Sequence, residues 1–190
     1  MRRMEKNNSG FSIVELIIVI AIIAAVVTTA ALSVGLVFSA NARTCANDIM
    51  GAIAECKIAT MSAGQGNVRL LLYRDDTGTI FSELQTRESA TADWTAVNGA
   101  EKIGARRCMV GTADGADDLP QKSGSGVPTL ESGMWEIGFE RSSGSFSTVE
   151  IYDSTGNQVW DFYVRGGSKN YQIHLEKLTG KVTKELVTAP

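Results

Sequence analysis

The sequence predicts an α+β protein, with one long N-terminal helix packed on a C-terminal antiparallel β-sheet. Three features predict it: a 23-residue uncharged run from Leu16 to Phe38, apolar residues at helical spacing after that run, and alternating apolar residues in the last third. At 190 residues the chain has room for one ordinary domain and an appendage.

The charge distribution argues against nucleic-acid binding. The first ten residues carry +2, from Arg2, Arg3 and Lys6 against Glu5, which leaves −5 for the remainder of a chain whose net charge is −3. A polyanion-binding body is normally basic, so no nucleic-acid partner is indicated.

The uncharged run Leu16–Phe38 is long enough to span a membrane. Its 23 residues correspond to about 35 Å of helix, more than the ~30 Å hydrocarbon core. The run does not fit a secretory signal peptide, which would have an apolar stretch of only about 7–15 residues followed by a cleavage site. Because Arg2, Arg3 and Lys6 precede the run, we expect a single-pass membrane protein. Its N-terminus should lie in the cytoplasm and the residues after Phe38 outside the cytoplasm.

The helix is predicted to continue past the apolar run as an amphipathic segment. Its apolar stripe consists of Cys45, Ile49, Ala52, Ile53, Cys56 and Ala59. This three- and four-residue spacing places all of them on one helix face. Gly64 and Gly66 are typical helix stops, so we expect one helix from Phe11 to about Ala63.

The head after residue 63 is predicted to be β-rich. Alternating apolar sets mark its strands: Trp135/Ile137/Phe139, Val149/Ile151, Trp160/Phe162/Val164 and Tyr171/Ile173/Leu175. Turn residues separate these sets, which favours an antiparallel meander. Val68–Arg74 and Thr79–Leu84 are predicted to form a further hairpin, and residues 86–132 a loop with a short helix near 92–104.

No catalytic motif is present, and we expect the protein not to be an enzyme and to carry no cofactor. The single histidine, His174, falls on the polar side of a predicted strand, so we expect it to be exposed. Asp114, Asp117 and Asp118 are predicted to form a solvated acidic loop; they are the candidate ligands if calcium binds, since calcium accepts oxygen ligands from irregular loops.

The cysteines allow one disulfide that involves Cys108. Cys45 and Cys56 lie about 16 Å apart along a helix axis, too far for a bridge. We predict a Cys56–Cys108 bridge because Cys56 lies further from the membrane, with all three thiols reduced as the alternative.

The N-terminus resembles a known family. Residues 6–15 read KNNSGFSIVE and precede the apolar run, which closely resembles the prepilin motif of type IV pilins and type II secretion pseudopilins. The resemblance implies cleavage between Gly10 and Phe11 by a prepilin peptidase, which also methylates the new amine of Phe11. The chain departs from many members in having no proline in the span and no C-terminal cysteine pair. Some pseudopilin heads bind calcium, so the resemblance keeps that alternative open.

Glu15 has two interpretations. Taken alone, it is a first-turn acid favoured by the helix dipole or a carboxylate near the membrane interface. After cleavage, a positive amine lies four residues away at Phe11 in every subunit. We therefore predict that Glu15 pairs with the Phe11 amine of a neighbouring subunit and sets the register of assembly.

These features predict the following organisation: leader 1–10, transmembrane and filament-core helix 11–38, amphipathic helix 39–63, and extracytoplasmic head 64–190. The resemblance implies a type IV pilus subunit, held in the membrane and then polymerised with itself or other pilins into a cell-surface filament by machinery with a cytoplasmic ATPase. The alternatives are a pseudopilin of a secretion or DNA-uptake apparatus and a membrane-anchored binding module that uses loop 86–132.

Overall fold

The computed structural model describes residues 12–62, 67–113, 117–122 and 134–187, with the side chains of residues 29–34 outside that description. The chain divides into two compact units, Met1–Leu36 and Val37–Pro190. Helix α1 (Ile13–Ser62) contributes residues to both units. Each unit is therefore described by itself below.

Helix α1 is shorter than the predicted Phe11–Ala63, since it begins at Ile13 and ends at Ser62. Phe11 and Ala63 themselves lie outside the described residues. The helix contains no proline, so every residue in it keeps the backbone N–H that a helical hydrogen bond requires. In the part of the chain that the structure describes, no helix is both long and apolar enough to span a membrane, so the predicted transmembrane half is not found there.

The second unit confirms the predicted amphipathic stripe. Its buried helix residues are Ala42, Cys45, Ala46, Ile49, Ile53, Cys56 and Thr60, whereas Ala52 and Ala59 are partly buried. This spacing presents one continuous face of α1 to the head.

The described strands pair in two antiparallel sheets. They are β1 (Val68–Arg74), β2 (Ile80–Thr86), β3 (Thr95–Gly104), β4 (Met109–Gly111), β5 (Trp135–Phe139), β6 (Phe146–Glu150), β7 (Asp161–Gly166), β8 (Lys169–Glu176) and β9 (Lys181–Val187). A five-stranded sheet has the order β3-β2-β1-β5-β6, and a four-stranded sheet has the order β4-β7-β8-β9.

The β1–β2 hairpin is confirmed, with Val68 opposite Thr86 and Arg74 opposite Ile80. Two other predictions are wrong. Residues 95–104 form strand β3, paired with β2, in the region where a short helix was predicted. The last third is not one meander, because β5 and β6 join β1 in the first sheet while β7, β8 and β9 join β4 in the second.

One core joins both sheets to the second half of α1. It includes Ile53 from the helix, Leu70 and Ile137 from the first sheet, and Phe162 and Ile173 from the second, each at most 1% exposed. The other face of the first sheet carries a smaller buried cluster, formed by Leu71, Tyr73 and Met134 with Phe81 packed against it.

A buried ion pair lies beside that smaller cluster. Arg69 Nη1 donates to Glu136 Oε2 at 2.9 Å, and Arg69 Nε donates to Gln85 Oε1 at 2.9 Å. The Arg69 guanidinium stacks on the Trp94 ring at 4.1 Å from its centroid, and Arg87 does so at 4.5 Å. These contacts hold the β2–β3 connection on the sheet.

Candidate assembly site

Ser12 caps the N-terminal end of α1. Its Oγ accepts a hydrogen bond from the Val14 amide at 3.3 Å, and its carbonyl accepts one from the Leu16 amide at 3.1 Å. Glu15 lies three residues after Ser12, which is the S-x-x-E spacing of a capping box. Ser12 was not predicted as a cap from the sequence, although the S-x-x-E spacing is a signal for one.

The Glu15 carboxylate lies in the first turn of α1, where the helix dipole favours a negative charge. The residue is exposed, and among residues 12–62, 67–113, 117–122 and 134–187 it forms no ion pair. Gly10 and Phe11, the predicted cleavage junction, lie outside the described residues. The pairing of Glu15 with a neighbouring Phe11 amine stays a prediction.

The first part of α1 exposes an apolar segment, residues 13–27. Its large apolar side chains are 44–77% exposed: Ile13, Val14, Leu16, Ile17, Ile18, Val19, Ile20, Ile22, Ile23, Val26 and Val27. Only Glu15 and three alanines lie between them, so they occupy every side of the helix, unlike the single stripe of a surface helix. A helix that is apolar all round requires an apolar environment, either other helices or lipid.

The polar group at the end of this apolar segment is satisfied within the helix. Thr28 Oγ1 donates to the Ala24 carbonyl at 2.7 Å. A hydroxyl that bonds the preceding turn does not need water. Apart from the Glu15 carboxylate, the segment is thus compatible with full removal from solvent.

The described carboxylates of the acidic loop after β4 accept hydrogen bonds from groups of the protein itself. Asp117 accepts from the Arg74 guanidinium and, at 3.2 Å, from the Val110 amide, and Asp118 accepts from the Thr112 amide at 2.8 Å. Asp114 lies outside the described residues. Within those that are described, no three His, Cys, Asp or Glu side chains are grouped to hold a metal ion.

The predicted Cys56–Cys108 bridge is not formed. Cys45, Cys56 and Cys108, all of them described, are buried and free. Cys56 Sγ donates to the Ile137 carbonyl at 3.7 Å, whereas the Cys108 thiol interacts with that of Cys45, whose Sγ lies against Gly104, four residues before Cys108. The structure therefore corrects the choice of neighbour: the helix thiol near Cys108 is Cys45, because the β3–β4 connection passes the earlier part of the buried helix face.

His174 is exposed, as the strand alternation predicted. Its Nδ1 lies 2.8 Å from Asp161 Oδ1 on β7, the neighbouring strand, and its Nε2 lies 3.7 Å from Glu176 Oε2. These contacts hold the imidazole on the outer face of the four-stranded sheet.

The region proposed as a ligand surface, residues 86–132, lines parts of several cavities, among them an open one beside α1. This cavity of about 280 Å³ lies between α1 and strands β2 and β3, with polar lining from Glu55, Ser82, Asn98 and Glu101. Its two carboxylates come from α1 and β3, so the cavity presents net negative charge.

The N-terminus of the chain matches a known family model. Residues 6–31 match the prokaryotic N-terminal methylation motif, the signal of type IV pilins and pseudopilins. The match covers the predicted junction, Glu15 and the apolar segment, which confirms the resemblance seen in residues 6–15. The motif supports a type IV pilin-like or pseudopilin-like protein that assembles with other pilins after the action of a prepilin peptidase. No curated protein and no solved structure matches the chain.

Proposed function

We propose that this chain is a structural subunit of a type IV pilus or pilus-like filament. It is made as a precursor, cleaved after Gly10, methylated at Phe11 and polymerised through α1 by a machine with a cytoplasmic ATPase. Its role is assembly, not catalysis. The observation that carries the proposal is the coincidence of the methylation motif, residues 6–31, with the apolar segment 13–27 exposed on every side of the helix.

The apolar segment supports polymerisation because helices of neighbouring subunits supply the apolar contacts that it lacks. Burial of apolar surface contributes about 25 cal/mol per Å², so a helix exposed on all sides favours association strongly. The proposal includes insertion in a membrane before assembly, supported by the motif and by the uncharged run Leu16–Phe38. Cell fractionation of the precursor tests that step separately, since recovery of precursor in the soluble fraction would reject it.

Glu15 is the residue that we propose to set the register. In an apolar filament core its carboxylate and the Phe11 amine of a neighbour stabilise each other, and removal of one partner leaves a buried charge unpaired. Such a loss costs roughly 3–5 kcal/mol, which corresponds to on the order of a hundredfold or more in an equilibrium. Glu15→Ala is therefore expected to reduce incorporation sharply while expression and cleavage continue.

The matched control is Glu55→Ala, which removes an exposed carboxylate from the same helix far from its N-terminus. Both variants are expressed in the native cells, and mechanically sheared filaments are quantified against total protein. Intact mass of the mature chain is expected to begin at methylated Phe11. Sheared filaments that contain Glu15→Ala and Glu55→Ala at equal, wild-type abundance would reject the register role.

The shear experiment also separates the alternatives. A pilus subunit is recovered in the sheared extracellular fraction as polymer. A pseudopilin stays with the cells but gives cross-linked ladders through its N-terminal helices, whereas a membrane-anchored binding module gives monomer only.

A further inference from the structure

Two buried cysteines from distant parts of the chain meet in the head. Cys45 lies on the buried face of α1 and Cys108 directly precedes β4, 63 positions later. Each residue is 1% exposed, and both belong to the core that joins the two sheets to α1. Two cysteines that are 63 positions apart in the chain therefore lie together in the core, where their thiols interact.

The surrounding backbone holds both sulfurs at this contact. The Cys108 amide donates to the Ala105 carbonyl at 2.8 Å, and the Cys108 carbonyl accepts from Arg74 Nη2 at 2.7 Å. On the helix side, a Cβ at Gly104 would lie 2.8 Å from Cys45 Sγ, so the glycine leaves room for the sulfur. The contact therefore depends on three anchored segments: α1, the end of β3 and the turn before β4.

We propose that Cys45 and Cys108 form a disulfide that joins α1 to the β3–β4 connection. The oxidant is a disulfide, carried by an extracytoplasmic thiol oxidoreductase or by a small molecule. The thiolate of one of the two cysteines attacks one sulfur of that disulfide, and a thiolate leaves. The other cysteine, once deprotonated, attacks the protein sulfur of the mixed disulfide, and the second thiolate leaves. The two cysteines lose two electrons and two protons, and the external disulfide becomes two thiols.

Burial sets when this reaction takes place. Because both residues are 1% exposed in the folded head, the external disulfide reaches them during folding, before α1 closes over the β3–β4 connection. Bond formation then requires the two sulfurs to approach to about 2.05 Å, which brings together two side chains buried in the same core. The product prevents the head from separating from α1 when the helix is pulled.

Cys56 provides a matched control within the same chain. It lies on the same buried helix face, but its Sγ donates to the Ile137 carbonyl at 3.7 Å. Burial raises the pKa of Cys56 to about 12, so its thiol stays protonated. Because the Ile137 carbonyl lies at its sulfur, Cys56 is expected to be free in the folded head in which Cys45 and Cys108 are linked.

The test uses the full chain in detergent, reduced and unfolded in urea, then refolded by dilution with a mixture of oxidised and reduced glutathione. The sample is quenched with acid, alkylated in denaturant without reductant, and mapped by mass spectrometry. Trypsin leaves Cys45 and Cys56 in one peptide, between Arg43 and Lys57, so a second cleavage before Asp48 is needed to separate them.

The expected result is a linked Cys45–Cys108 peptide and an alkylated Cys56. Cys56→Ser is expected to keep the linkage, and Cys45→Ser to abolish it and leave both remaining thiols alkylated. Three alkylated thiols in the wild-type chain, or a linkage through Cys56, would overturn the proposal. This readout is independent of filament formation, since it counts thiols in the wild-type protein itself and requires no variant to fold.

Discussion

Gly166, the last residue of β7, allows a close approach between the second sheet and α1. A Cβ at this position would lie 2.6 Å from the Phe38 carbonyl oxygen and 3.0 Å from the Ala42 Cβ. Gly166 is not among the glycines with positive φ, so Gly166→Ala introduces a steric contact without backbone strain. The substitution therefore isolates the packing of one strand end on the helix.

The expected penalty follows from what surrounds the new methyl group. The nearest atom, the Phe38 oxygen, belongs to the helix backbone and cannot rotate away as a flexible side chain does. Either α1 or the end of β7 must shift, and excess volume of this kind in a packed interior costs about 1–3 kcal/mol. Gly166→Ala is expected to destabilise the head by that amount.

Gly51→Ala is the matched control, since it adds the same methyl group to α1 at an exposed position with no heavy atom within 4 Å. Alanine is favoured over glycine inside a helix by about 0.5–1 kcal/mol, so this variant is expected to gain stability. The two substitutions of the same type should change stability with opposite signs.

Urea denaturation of the detergent-solubilised full chain measures both variants. Tryptophan fluorescence reports on the core through one of the three tryptophans, Trp135, whose ring contacts Phe162 of β7 edge-on with centroids 5.4 Å apart. The urea concentration at the midpoint of unfolding should fall for Gly166→Ala and rise for Gly51→Ala. The slope of the unfolding free energy against urea concentration should not change. A Gly166→Ala protein as stable as the wild type would refute the close approach of β7 to the helix.

Three further outcomes are expected from the head. Glu136→Ala leaves the Arg69 guanidinium buried without its carboxylate, and a loss of about 3–5 kcal/mol is expected in urea denaturation; a loss below about 1 kcal/mol would contradict a buried pair. The pKa of Asp75 is lowered, first by the Thr77 hydroxyl, so the stability that Asp75 contributes is present above its unfolded pKa of about 3.8 and is lost as the pH falls through its lower folded pKa. Thr77→Val is expected to raise the Asp75 pKa in an NMR titration of the carboxyl carbon, and an unchanged titration would exclude the hydroxyl as the main cause. Phe162→Ala removes a fully buried ring and is expected to cost about 3–5 kcal/mol, measured by the same denaturation, while a cost near zero would exclude Phe162 from the core.

The helix and the strands in which apolar residues recur at a regular spacing were predictable from the sequence. The buried stripe through Cys45, Ile49 and Ile53 and the strand alternation at Phe162 and Val164 are both present in the structure. Such patterns depend only on how side chains project from a helix or a strand, so neighbouring residues carry the whole signal. Strand β3 was missed because most of its side chains are exposed on both faces, and no apolar alternation marks it.

The motif at residues 6–31 was likewise visible in the sequence, since cleavage and methylation act on a short linear segment. Thus the sequence by itself determined the long helix, its apolar segment and the N-terminal signal. Only the tertiary structure decided which sheet each strand joins, that Arg69 meets Glu136, and that Cys108 lies beside Cys45 and not beside Cys56. The physical reason is that these contacts join residues far apart in the chain, and their partners depend on the path of every segment between them.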